Sequence, residues 1–233
     1  MKYMGSKARL KKHIIPLMDT KDRLYYEPFA GGMNMIEGVH SARARFANDS
    51  NKYVIAAFKM LCSGWQPEFI TKEKYHELKN MNGEDHLIGW AGIACSYSGK
   101  WFGGYAGIVE TRAGRRDYQA EAIKNAIKQV KNLKDVVFSS LDYTEISIDS
   151  GSVVYCDPPY KGTTGYKDSF DSDCFFDWCR SVAKDKQCDV YVSEYAAPDD
   201  FECIAEFNLN SSLSANGKYG GSKVSIEKLF KVR

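Results

Sequence analysis

The chain contains no long apolar run, no low-complexity tract and no internal repeat, and it has only four histidines, far apart in sequence. Without about 18 consecutive apolar residues there is no candidate membrane-crossing helix. The opening "MKYMGSKARLKKH" is basic but lacks the apolar core of a signal peptide. A soluble, cytoplasmic protein is therefore expected. The seven cysteines are odd in number and form no CxxC pair, which argues against a disulfide framework and the usual zinc spacings. Reduced thiols and no metal are expected.

Net charge is also scarce, at +2 over 233 residues. Its distribution is uneven: residues 1–23 and residues 98–134 each carry +5, leaving −8 elsewhere. Two local basic surfaces can exist on a nearly neutral chain, although solvated helix faces would read the same way. With 44% hydrophobic and 27% charged residues, the composition is that of a soluble globular protein, long enough for one α/β domain with a substantial core.

Apolar Leu10, Ile14, Ile15, Leu17 and Met18 fall at helical spacing among basic residues, predicting an amphipathic opening helix over 7–18. "RLYYEPFAGGMNMIEG" predicts a strand through Tyr25 and Tyr26, a glycine turn, and a helix beginning near Met33. "ARFANDSNKYVIAAFKML" repeats the pattern, with a strand near Phe46 and a helix to about Leu61. This alternation points to a parallel sheet. Residues 64–134 interrupt it with helices around a loop rich in glycine and aromatics, ending in a helix over 118–133. Strands return at "VVFSS", "SVVYC", "DVYVS", "CIAEFNL" and "IEKLFKV", with a helix around "DCFFDWCRSVAK". Seven strands suit a doubly wound α/β sheet with its ligand site at the carboxyl ends.

Three stretches carry chemistry. In "YYEPFAGGMN" a glycine turn after a strand lets a ligand approach the backbone, though plain turns use glycine too. Asp49, about 20 residues after Phe29, ends the next strand, where an acid can accept from both ribose hydroxyls or cap a helix. No GxGxxG is present, so a cofactor with adenosine but no pyrophosphate fits better than NAD, and S-adenosylmethionine is the candidate. In "VVYCDPPY" the prolines fix a corner that sets the Asp157 carboxylate beside the Pro158 carbonyl, with Tyr160 two residues on. Two acceptors and an aromatic face match an adenine amine, with two hydrogens to donate and a ring to stack.

With these residues in order, the sequence resembles the Dam-type DNA adenine-N6 methyltransferase family over nearly its whole length. "KYMGSK" resembles the family's N-terminal cofactor motif, "EPFAGG" its glycine turn, "NDSN" its ribose-binding acid and "DPPY" its catalytic motif. "CSYSGKWFGGY" resembles its DNA-contacting loop, and "NGKYGGSKVSIEKLF" its closing segment. The resemblance implies a Rossmann-like methyltransferase fold, residues 1–63 and 135–233 forming the cofactor domain and 64–134 a small, mostly helical DNA-recognition insertion. It implies that Tyr3, Lys7, Phe29, Gly31, Gly32, Asp49, Asp142 and Asp157 serve the cofactor, S-adenosylmethionine. Asp157, Pro158 and Tyr160 would act on a flipped adenine in double-stranded DNA. Met33 replaces the third residue of the family's FxGxG pattern.

On the DNA side, Tyr97 and Ser98 align with the loop beside the flipped base. Lys100, Arg112, Arg115 and Arg116 supply cations around Trp101, Phe102 and Tyr105, aromatics suited either to base stacking or to a small core under the loop. Lys124, Lys128 and Lys131 share one helix face, as a phosphate track or a solvated surface. The family implies GATC as target and a part in restriction protection, repair marking or regulation. Monomer and weak dimer are both compatible with the sequence. Two alternatives stand: RNA-adenine or protein-glutamine methyltransferases, which commonly have Asn in place of Asp157, and a catalytically silent DNA-binding relative.

Overall fold

The computed structural model describes residues 1–111, 114–159, 170–210 and 224–233. Its strands are β1 (Leu24–Glu27), β2 (Ala44–Asn48), β3 (Ile108–Thr111), β4 (Gly114–Asp117), β5 (Val136–Ser139), β6 (Val153–Cys156), β7 (Asp189–Glu194), β8 (Phe201–Asn210) and β9 (Val224–Val232). Seven of them form one sheet in the order β5-β2-β1-β6-β7-β9-β8. The five from β5 to β7 run parallel, and β9 pairs antiparallel with both β7 and β8. The reversal of strand order beside β1 makes this the doubly wound, Rossmann-like arrangement, whose crevice opens at the carboxyl ends.

Central strands buried on both faces should read as nearly continuous apolar runs, and β6 does. Val153 and Tyr155 join one core with Tyr25, Tyr191 and Leu229. Val154 and Cys156 join a second with Tyr26, Val190, Val192 and Phe230. The first core is covered by α1 (Lys11–Ile14), α2 (Lys52–Cys62), α3 (Lys72–Lys79), α4 (Asp85–Ile93) and α5 (Tyr118–Val130), and the second by α6 (Ser172–Asp185). Among the described residues no helix is long and apolar enough to cross a membrane.

Two predicted elements take a different form. The opening helix is broken into a 3-10 turn over Lys7–Arg9, the single turn of α1, and a second 3-10 turn over Ile15–Leu17. Pro16 lacks the N–H a continuing helix needs and its ring clashes with the preceding turn, yet Leu10, Ile14 and Met18 still reach the core. After β1 no regular helix starts at Met33. That residue has φ 57°, outside the right-handed helical region, and only a 3-10 turn over Ile36–Gly38 follows. The interrupting region also holds the two-stranded ribbon β3-β4, with Glu110 opposite Arg115. Its residues are almost wholly exposed, so no alternation of apolar residues marked it.

One side chain pins three strand ends. Asn48 Nδ2 donates to Pro28 O at 3.1 Å and Leu141 O at 2.9 Å, and its Oδ1 accepts from Ser139 Oγ at 2.8 Å and Leu141 N at 2.9 Å. The amide's capacity is fully used beneath the crevice. Asn48→Ala would strand the buried Pro28 carbonyl and free the β5 end from β2, and urea unfolding is expected to show a loss of about 3 kcal/mol.

Candidate functional site

Residues 1–7 lie between the glycine turn and the loop around Tyr97. A Cβ on Gly31 would come within 2.7 Å of Tyr3 Cε1, and one on Gly32 within 2.6 Å of Tyr3 Cβ, so the Tyr3 side chain takes the space the glycines leave. On the other side Met4 N donates to Gly99 O at 3.2 Å, and a Cβ on Gly99 would meet Lys2 O at 2.6 Å. Close backbone approach thus requires glycine on both sides of Tyr3.

From this segment Lys7 reaches inward. Its side chain is 4% exposed, and its Nζ lies 2.7 Å from Asp157 Oδ1, 2.9 Å from Glu227 Oε1 and 3.1 Å from Gly5 O. Burial pushes the Lys7 ammonium toward losing its proton, but the two carboxylates outweigh it and hold the group above the ordinary lysine range. Asp157 follows β6 directly, half-buried at the carboxyl edge, with Pro158 buried behind it. Tyr160 lies outside the described residues.

Asp49 bridges two turns. Its Oδ2 accepts from Gly31 N at 2.8 Å and its Oδ1 from Asn51 N at 2.9 Å. Burial raises its pKa, and those two donors oppose the rise. Asn51, not Asp49, caps α2. Each Asp49 oxygen keeps a lone pair for a further donor, as recognition of a vicinal diol requires. Phe29 packs into an aromatic cluster with Tyr143 and Phe175, at ring separations of 5.3 and 5.6 Å. Asp142 is exposed and caps the 3-10 turn Tyr143–Glu145 through Thr144.

On the DNA-candidate side, a cavity of about 220 Å³ brings Tyr97, Ser98 and Arg116 together with Lys2 and Tyr118. Arg116 forms a fork with Glu121 at 2.6 and 2.8 Å and stacks 4.5 Å over the Tyr118 ring. Lys100 and Arg115 are exposed, as are Lys124, Lys128 and Lys131. Arg112 lies outside the described residues. The loop aromatics take the core alternative: Phe102 is buried, and Trp101 and Tyr105 pack against the first core. Among the described residues no cluster of His, Cys, Asp or Glu is placed to hold a metal ion.

Three contributors escaped the sequence reading. Glu227 comes from β9. Gln129 on α5 donates to Gly32 O at 2.9 Å, tying the glycine turn to the inserted region. Glu27, ending β1, is buried and accepts from Tyr25 Oη at 2.7 Å. Its place in "EPFAGG" was a signal that could have found it.

The left-handed Met33 is fully buried. Its conformation costs about 1–2 kcal/mol relative to glycine, whereas emptying a buried site of this size costs about 2–5 kcal/mol. Packing outweighs strain, so Met33→Gly is expected to lower stability by roughly 2 kcal/mol in urea unfolding.

Burial raises the Glu27 pKa to about 8; the Tyr25 hydrogen bond opposes this and the nearby Asp157 charge adds to it. The native state therefore binds more protons than the unfolded chain between the ordinary glutamate range and pH 8, and stability falls as pH rises across that window. Glu27→Gln removes this term. Between pH 5 and 8.5 its stability is expected to fall less than that of the unaltered protein, by on the order of a few kcal/mol, in urea titrations at both values.

A family model described as D12 class N6 adenine-specific DNA methyltransferase matches residues 3–88 and 96–202. No curated protein matches the chain. Among solved structures, the rRNA methyltransferase aviRa from Streptomyces viridochromogenes is 12% identical, with 100% of this chain and 86% of that one covered at a TM-score of 0.46. The precorrin 8w decarboxylase from Methanobacterium thermoautotrophicum is 12% identical, with 97% and 89% covered at a TM-score of 0.39. Such likeness bears on neither substrate nor mechanism.

Proposed function

The chain belongs to the family of D12 class N6 adenine-specific DNA methyltransferases, and on that premise we propose that it methylates the N6 amine of an adenine in duplex DNA. The observation that carries this reading is Asp157, at the carboxyl edge of β6, held by the buried Lys7 ammonium. The Asp157 carboxylate and the Pro158 carbonyl offer two acceptors to the two hydrogens of an exocyclic amine. To reach them the adenine leaves the stack, at a cost of roughly a few kcal/mol, and Tyr160 stacks on it.

S-adenosylmethionine supplies an electrophilic methyl group on a sulfonium when bound. The donor set fits such a molecule: Asp49, anchored by two backbone N–H groups, keeps lone pairs for the ribose hydroxyls. Gly31 and Gly32 under Tyr3 keep the turn open to close approach. We assign Lys7 to act through Asp157, and Phe29 and Asp142 to the wall beyond. Acceptance of the amine hydrogens draws the nitrogen lone pair out of the ring, and the Asp157 carboxylate takes the proton the methylated amine sheds. Positioning and electrostatics carry the rate.

Residues 1–63 and 135–233 form the transferase in this reading, and 64–134 recognise the target. Tyr97, Ser98 and Arg116 line the groove beside the base, while Lys100, Arg112 and Arg115 hold phosphates. GATC is the first target to try.

The purified protein is expected to transfer labelled methyl groups to duplex DNA and not to RNA or protein, giving N6-methyladenine. Asp157→Ala is expected to slow transfer by roughly a hundredfold or more while remaining folded. Full activity of that variant, or transfer confined to RNA or protein, would sink the reading. Sequencing methylated adenines in expressing cells decides GATC.

A further inference from the structure

We propose that Glu227 is a positioning residue for the transfer, sharing the Lys7 ammonium with Asp157 so that Asp157 keeps its negative charge for the substrate amine. The inference rests on the function proposed above and extends it to a residue of the closing segment, to which the sequence reading assigned no role. An ammonium has three N–H bonds, and among the described residues three acceptors surround this one: Asp157 Oδ1 at 2.7 Å, Glu227 Oε1 at 2.9 Å and Gly5 O at 3.1 Å. Lys7 sits in a short 3-10 turn, which by itself fixes a long side chain poorly. Glu227, in contrast, is 7% exposed at the side chain and lies on β9, paired with Phe207 of β8 and one residue from the pairing of Lys228 with β7. The rigid partner therefore aims the lysine.

The charges follow. With Glu227 the three side chains sum to −1; without it Lys7 would cancel Asp157, and this trio would offer no net negative charge to the positive charge developing on the amine. A neutral glutamine keeps an oxygen for Lys7 and removes only the charge. Among the described residues the groups facing Lys7 are Asp157 after β6, Glu227 on β9 and Tyr195 after β7, while Glu27 on β1 acts on Asp157. Of these, Asp157 and Glu227 oppose the effect of burial on Lys7. Loss of one must let the lysine deprotonate at lower pH.

The test uses the full chain with Glu227→Gln and Glu227→Asp, thermal unfolding verifying that each is folded. At saturating cofactor, Glu227→Gln is expected to lower kcat on duplex DNA by about tenfold or more with cofactor KM changed less than about threefold, and Glu227→Asp to recover part of the loss. In ¹³C-lysine NMR of the cofactor-free protein, the Lys7 titration midpoint is expected to fall by about one pH unit or more in Glu227→Gln. An unchanged kcat, or an unmoved Lys7 midpoint in a folded variant, overturns the proposal. If the unaltered protein methylates no DNA, the functional reading fails, and the Lys7 midpoint still decides whether Glu227 governs that ammonium.

Discussion

A buried ammonium is the constraint on which the site depends. Leaving Lys7 unpaired inside the protein would cost several kcal/mol, and its carboxylate partners come from segments about 150 and 220 residues away in sequence. The charge is satisfied only once β6 and β9 are in place and residues 1–7 lie across the sheet edge. Losing both carboxylates would leave an uncompensated buried charge, so the segment, β6 and β9 are linked through Lys7. The same segment packs Tyr3 on the glycine turn and bonds Met4 to Gly99. One stretch of backbone thereby links the glycine turn to the loop around Tyr97.

The sheet supplies the rigidity this needs. Its central strands are buried on both faces by two separate cores, so their carboxyl ends cannot move independently. Asn48 and Gln129 fix the irregular backbone at those ends: Asn48 joins Pro28 to Leu141, and Gln129 holds the carbonyl of Gly32. Both side chains lie beneath the crevice and leave its surface to the residues with chemistry.

The strands were legible because apolar residues buried on two faces leave continuous runs, and Asp49 and Asp157 because each stands where such a run ends. Glu227 was not. Its pairing with Lys7 depends on β9 inserting between β7 and β8, an outcome of topology with no trace in local spacing. The opening helix failed through Pro16, whose missing N–H outweighed a good apolar periodicity. The helix expected at Met33 failed because backbone conformation, not side-chain pattern, decided it. The β3-β4 ribbon escaped for the opposite reason, since strands with no buried face carry no alternation. For Trp101, Phe102 and Tyr105 composition alone could not separate stacking on bases from burial; the close contact of Trp101 with Gly92, which has no side chain to block it, settles that they pack inward.

Among the described residues, four carboxyl groups, Glu27, Asp49, Asp157 and Glu227, gather at this edge of the sheet, and they are stabilised by three different means. Glu27 is kept protonated by burial, Asp49 is held by two backbone N–H groups, and Asp157 and Glu227 divide one ammonium. These means are not equivalent electrostatically. A protonated acid adds no charge, whereas two carboxylates around one ammonium leave a net negative site that is desolvated and already oriented. Preorganised charge of this kind needs little rearrangement when a cation approaches. Because Asp157 also acts on Glu27, the two features reinforce each other: the charged Asp157 helps keep Glu27 neutral, and a neutral Glu27 spares Asp157 a repulsive neighbour.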